Sequence, residues 1–158
     1  MTLTLKEKIT RVRTALEADP MGFIAGEIRA PALEAPRVIG PPWSSFGNFL
    51  AETNGGRFGS IDVWSLEEFR DKQYQSVNFS GGQERWLVIG QLLYEPLVME
   101  NGTDHLFLFQ GDREKLGLDF GKFDEFFIEA VFGPRYAKIV PNGEKDEWWD
   151  ILKFAGLR

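Results

Sequence analysis

Apolar residues recur along this chain at two spacings, and the spacing marks out its elements. Ile9, Val12 and Leu16, with Leu5, form one stripe at helical period, and Lys6, Lys8, Arg11 and Arg13 decorate the other sides. That pattern predicts an amphipathic helix over Lys6 to Ala18, ended by Asp19-Pro20. Pro20, Pro31, Pro36, Pro41 and Pro42 then punctuate a stretch expected to be irregular, because proline fixes φ and lacks a backbone donor. Its Phe23, Ile24, Ile28, Leu33, Val38 and Ile39 are expected to hold it against the body. Trp43, Phe46, Phe49 and Leu50 fall again at helical spacing. This second helix has Ser44 or Ser45 available as a cap. Asn54-Gly55-Gly56 is its expected stop, since these residues tolerate a left-handed backbone.

From here the period changes. Ser60 to Trp64 reads as a strand. Ser65-Leu66-Glu67-Glu68 has the form of a capping box and is expected to open a short helix reaching about Lys72. Tyr74 to Glu84 is polar and reads as a loop. Trp86-Leu87-Val88-Ile89-Gly90 is apolar without alternation, the mark of a strand buried on both faces. Leu97 to Glu100 and His105 to Phe109 are two further strands, with Asn101-Gly102 as the hairpin signal between them. The three runs are expected to pair as consecutive strands of an antiparallel meander. Gln110 to Gly121 reads as a loop. Phe123 to Phe132 is expected to be a helix closed by Gly133-Pro134, and Asp146 to Phe154 a final helix stopped by Gly156. Helices flank the strands instead of alternating with them, which predicts an α+β domain: a single, mainly antiparallel sheet with helices packed on it.

Composition adds boundaries to that picture. A chain of 158 residues with 43% hydrophobic residues can bury one full core, so a single domain over 1–158 is expected. The 14 Phe and 5 Trp are expected mainly in that core, with the tryptophans also suited to a partner surface. No cysteine is present, which removes disulfides, thiolate metal sites and cysteine nucleophiles. The first ten residues carry charges where a signal peptide needs an apolar core, and no stretch has the length of a membrane span. The expectation is a cytoplasmic protein. A net charge of −6 repels phosphate backbones and anionic lipid, so nucleic acid and membrane are disfavoured partners; it would attract a basic one, although taken alone so modest a charge is explained by solubility.

Five stretches taken in order are similar to a known family. They are the Pro-aromatic helix ending in Asn-Gly-Gly (Pro42 to Gly56), Trp-Leu-Val-Ile-Gly (Trp86 to Gly90), and the Pro-Leu-Val hairpin turning on Asn-Gly (Pro96 to Gly102). Phe-Asp-Glu-Phe-Phe (Phe123 to Phe127) and the closing Asp-Glu-Trp-Trp-Asp-Ile-Leu-Lys-Phe-Ala-Gly-Leu (Asp146 to Leu157) complete them. In that order they resemble the SUKH superfamily, the Smi/Knr type. The resemblance covers roughly Ile39 to Leu157 and is weakest over residues 1–38. It implies an α+β fold and a non-enzymatic binding role. Many bacterial members of the family are immunity proteins that neutralise a cognate toxin, often a nuclease; eukaryotic relatives are regulatory interaction modules, which is the alternative reading here. The family carries no shared catalytic set, and Asn54, Gly55, Trp86, Gly90 and Phe126 match its pattern as structural positions.

The residues themselves point the same way. His105 is the only histidine, and no His, Asp or Glu spacing around it has the form of a metal site. The glycines of Asn54 to Gly59 precede a strand, whereas phosphate loops join a strand to a helix N-terminus, so nucleotide binding is rejected. No serine sits in a nucleophile elbow. No enzyme, metal or cofactor is expected. The acidic residues Glu67, Asp71, Glu84, Asp104, Asp112, Glu144 and Asp146 are the candidates for contact with a basic protein partner. Each taken singly is better explained as helix capping, and the acidic face is a reading of the net surface alone.

Overall fold

A computed structural model describes residues 2–18, 26–109 and 117–158. The first helix, α1 (Leu5–Ala18), starts where a reciprocal cap forms. The Glu7 N–H donates to Thr4 Oγ1 (3.2 Å) and the Thr4 N–H to Glu7 Oε2 (2.7 Å). The predicted stop at Asp19-Pro20 lies outside the described residues. The proline-punctuated connection is more regular than expected. It holds a three-residue strand, β1 (Gly26–Ile28), and one helical turn, α2 (Ala35–Val38), with Pro36 in the first turn, where its missing N–H costs nothing.

Helix α3 (Ser44–Glu52) buries Phe46, Phe49 and Leu50. The cap expected from Ser44 or Ser45 does not form: both lie inside the helix, and the Ser45 hydroxyl donates to Asp104 Oδ2 (3.0 Å). The helix ends at Thr53 in extended backbone, before the glycines. Positive φ falls later, on Gly55 (76°) and Gly56 (149°), where the chain turns straight into a strand that the residue pattern does not announce.

That strand is β2 (Gly56–Phe58), succeeded by β3 (Ile61–Val63). The capping box forms as expected, with Glu68 N–H on Ser65 Oγ (3.1 Å) and Ser65 N–H on Glu68 Oε1 (3.3 Å). It opens a 3-10 helix, Phe69–Ser76, longer than predicted, and a turn of helix, α4 (Gly82–Arg85), lies inside the expected loop. Strands β4 (Trp86–Leu92), β5 (Glu95–Glu100) and β6 (His105–Leu108) form the predicted meander. The β5–β6 turn spans Asn101 to Asp104, with positive φ at Gly102 and Asp104 and not at Asn101. A further strand, β7 (Leu118–Lys122), lies in what read as loop.

The Phe123 segment is α5 (Phe123–Phe126) continuing into a π-helical turn, Phe127–Val131. Helix α6 (Tyr136–Ile139) and a 3-10 turn, Gly143–Lys145, lead to α7 (Glu147–Phe154), capped by Asp146. It closes with Leu157 N–H on Leu152 O (2.8 Å) and Gly156 N–H on Lys153 O (3.0 Å).

The seven strands of the described residues pair antiparallel in sequence order, with β4 at the middle of them. The main core lies between one sheet face and α1, α3 and the helices after β7. Phe58, Ile61, Leu87, Ile89, Leu97 and Leu108 from the strands meet Phe46, Phe49, Phe127 and Trp148 there. On the other face a second cluster of Phe79, Trp86, Val88, Val98, Phe107 and Phe109 sits under the 69–85 segment. Both faces of β4 are thus covered, which is why its first residues are uniformly apolar. Where β3 no longer reaches, Gln73 extends the ladder with its side chain. Its Oε1 accepts from Val88 N–H (2.9 Å) and its Nε2 donates to Val88 O (2.8 Å).

Candidate functional site

The 69–85 segment covers the outer face of the middle strands only. Over β1, β2, β3 and the end of β4 none of the described helices covers that face, and Glu27 and Arg57 are exposed there, with Asp62 and Gln91 partly so. The register there places Glu27 opposite Arg57, Arg57 opposite Asp62, and Asp62 opposite Gln91. Directly opposed residues share a face, so these four make one polar row across four strands. Their neighbours Phe58, Ile61 and Val63 turn into the main core.

Gln91 belongs to the row because of an irregularity. Pairing between β4 and β5 steps from Val88↔Val98 to Gly90↔Leu97, a bulge at Ile89. Val88 faces the outer cluster and Ile89 the main core; the extra residue then puts Gln91 outward and Leu92 into the core. Strict alternation would have reversed the last two, since side chains repeat every second residue.

The row is bonded throughout its centre. Arg57 Nε donates to Asp62 Oδ1 (3.1 Å), and Gln91 Nε2 donates to Asp62 Oδ2 (2.8 Å). Arg29 flanks it, donating to Glu27 Oε1 (3.3 Å) and to Glu68 Oε1. Burial by itself would raise the Glu68 carboxyl and lower the Arg29 guanidinium; their mutual bond, with Ser65 on Glu68 and Glu27 on Arg29, outweighs it. Glu68 is therefore held below the usual carboxylate range and Arg29 above its ordinary value. Two shallow cavities open on this surface, of about 280 Å³ and 170 Å³, and Arg57, Asp62 and Gln91 line both.

The larger cavity is bounded by two adjacent hairpin turns. Gly59-Ser60 joins β2 to β3, and Leu93-Tyr94 joins β4 to β5, with Leu93 N–H donating to Ser60 O (3.2 Å). Gly59 has φ of 68°, and a Cβ there would stand 2.1 Å from the Tyr136 hydroxyl. Behind this turn Tyr136 donates to Asp146 Oδ2, the Ser60 hydroxyl donates to the same oxygen (3.0 Å), and Ser60 N–H donates to Tyr136 Oη (2.9 Å). Burial and the Asp146 carboxylate push the Tyr136 phenol up, so it stays a donor. The Gly59-Ser60 turn is thereby pinned to α6 and α7.

The acidic candidates from the sequence do not converge on one place. Glu67 accepts from Asn54 Nδ2 (2.8 Å) beside the 3-10 helix, which also carries the exposed Asp71. Glu84 is exposed on α4, and Asp104 accepts from Ser45 on the main-core side. Glu144 is exposed ahead of α7. Asp146 turns inward, its Oδ1 capping α7 through Trp148 N–H (3.0 Å). Asp112 lies outside the described residues. The row of Glu27, Arg57, Asp62 and Gln91 was not found from the sequence. Its only trace is the polar residue between apolar neighbours in Ile61-Asp62-Val63, too short a signal without the register.

His105 Nδ1 lies 3.0 Å from Asp119 Oδ1 on the surface. Among the described residues no three His, Asp or Glu side chains gather as a metal site, and no helix is long and apolar enough to cross a membrane. Comparison of the sequence with protein-family models finds no match, and neither does comparison with curated proteins.

Proposed function

We propose that this protein is a non-enzymatic binding protein of the SUKH type that neutralises a basic toxin domain, and that the open half of the sheet receives it. The observation that carries the reading is the uncovered face over β1 to β4 with its row of paired charges. Its cavities are shallow and lined mainly by polar and charged groups, unlike the mostly apolar clefts that take small molecules, and the surface around them is polar, as the outer zone of a protein interface is. The net charge of −6 speeds encounter with a basic partner. The ordered sequence motifs supply the family side of the reading.

The test is co-expression with the variable C-terminal domain of a large secreted protein encoded in an adjacent frame. Rescue of growth and co-elution in gel filtration are expected. Neither rescue nor complex would refute the immunity role.

A further inference from the structure

Asn-Gly occurs three times in the chain, at Asn54-Gly55, Asn101-Gly102 and Asn142-Gly143. The pair is chemically labile, because glycine puts no side chain in the way of its own nitrogen as it attacks the preceding asparagine amide. The attack needs that nitrogen free of other bonds and a backbone able to swing it onto Cγ. At two of the pairs the fold withholds both. Gly55 is buried and its N–H donates to Thr53 O (2.7 Å). The Asn54 side chain is held at both ends, with Nδ2 on Glu67 Oε2 (2.8 Å) and Leu66 N–H on Oδ1 (2.8 Å). Gly143 is buried in its 3-10 turn, its N–H donates to Val140 O (2.9 Å), and a Cβ there would stand 3.0 Å from Ala137 Cα. Asn101-Gly102 differs. Both residues are exposed in the β5–β6 turn, and the Gly102 N–H bonds to no described residue. A Cβ on Gly102 would meet nothing within 4 Å, so the backbone has room to move. One bond, from Asn101 Nδ2 to Glu84 O (3.1 Å), holds the side chain.

We infer that Asn101 is a site of spontaneous covalent modification, converted to aspartate and isoaspartate while the fold protects Asn54 and Asn142. The Gly102 nitrogen gives up its proton to solvent and bonds to Asn101 Cγ, and the bond from Cγ to Nδ2 breaks, releasing ammonia. The five-membered imide that results is opened by water. Attack at Cγ leaves aspartate, and attack at the main-chain carbonyl leaves isoaspartate, with the backbone routed through the former side chain. Nothing is oxidised or reduced, and no group on the chain besides this pair takes part. The product reverses a contact. A donor on Glu84 O becomes a carboxylate oxygen, so acceptor faces acceptor. The neighbouring Glu100 carboxylate already takes Arg85 Nε (3.0 Å) and Nη2 (2.9 Å). In isoaspartate a methylene also enters the main chain at the residue whose N–H donates to Arg85 O (2.8 Å). Helix α4 is thereby loosened from the β5–β6 turn.

The test incubates the purified full chain at mildly alkaline pH, folded and in concentrated urea. Peptide mapping by mass spectrometry follows the three asparagines, and methyl transfer by an isoaspartate carboxyl methyltransferase reports isoaspartate. In the folded chain Asn101 is expected to convert at least roughly tenfold faster than Asn54 or Asn142, because those sites must first break hydrogen bonds. In urea the three rates are expected to converge. Asn101→Asp is expected to quicken amide exchange at position 101 and across Gly82–Arg85. Folded-state rates that are equal, or slower at Asn101, overturn the assignment. A lead for Asn101 that persists unchanged in urea overturns its structural origin. Unchanged exchange in Asn101→Asp overturns the loosening of α4.

Discussion

Replacing Trp86 by alanine probes the second, smaller cluster on the outer face of the sheet. The ring is 1% exposed and meets Phe107 and Phe109 edge-on, at centroid distances of 5.5 and 5.3 Å. Its Nε1 donates to Ser80 O (2.9 Å), and the Arg85 guanidinium lies 4.5 Å from its centroid. Deletion of a buried aromatic ring to alanine costs about 3–5 kcal/mol, from lost transfer energy and the cavity left behind. The hydrogen bond adds little, because Ser80 is exposed and its carbonyl can turn to water. The Arg85 contact adds under about 1 kcal/mol at its half-exposed position. Relief by collapse is limited, because Phe79 already stacks flat on Phe109 at 4.0 Å and cannot fill the space without giving that up. The expected loss is therefore about 4 kcal/mol, and a melting temperature lower by about 10 °C for a chain of this size. Urea unfolding monitored by far-ultraviolet circular dichroism measures it without depending on the tryptophan signal. A loss below about 1 kcal/mol would refute the packing argument, since no fully buried ring comes out so cheaply.

Gln73→Leu keeps the bulk and removes the bonds that extend the sheet ladder, leaving Val88 N–H and C=O buried and unpaired. A loss of about 2–4 kcal/mol in urea unfolding is expected, and a change under about 0.5 kcal/mol would sink the ladder role. Glu68→Gln tests the Arg29 pair. The folded-state carboxyl lies below its unfolded value, so its contribution is present at neutral pH and lost as pH falls through the folded-state value. The variant is expected to melt lower than the parent at pH 7, with the gap closing in acid. A gap that is constant with pH would count against the ion pair.

Much of the fold could be read from residue order. The stripes of α1 and α3, the capping box at Ser65, the apolar run of β4 and the β5–β6 hairpin are each written in consecutive residues, as a period, a cap, an unbroken apolar run or a turn signal, so local pattern reveals them. The elements that escaped the pattern share the opposite property. Strands β1, β2 and β7 have three to five residues each, with no room for a period, and they are strands because a neighbour pairs with them. Tyr74 to Glu84 read as polar loop because its one buried ring, Phe79, is isolated in sequence and meets its neighbours only across the sheet face.

The candidate site lies almost wholly on that second side. The acidic residues visible in the sequence scatter over the surface or turn inward as caps. The polar row from Glu27 to Gln91 draws on four strands separated by up to sixty-four positions, and one bulge decides that its last member faces outward. By itself the sequence determined an α+β fold on one mainly antiparallel sheet, its central strand, its negative charge and its freedom from cysteine chemistry. Register, the bulge and the partial cover of the outer face were decided by tertiary structure, because pairing between strands depends on which distant backbone arrives alongside. The Leu93-Tyr94 turn, with φ of 48° and 70°, falls between the two. Its residues argue against a tight hairpin, and the pairing of β4 with β5 imposes one.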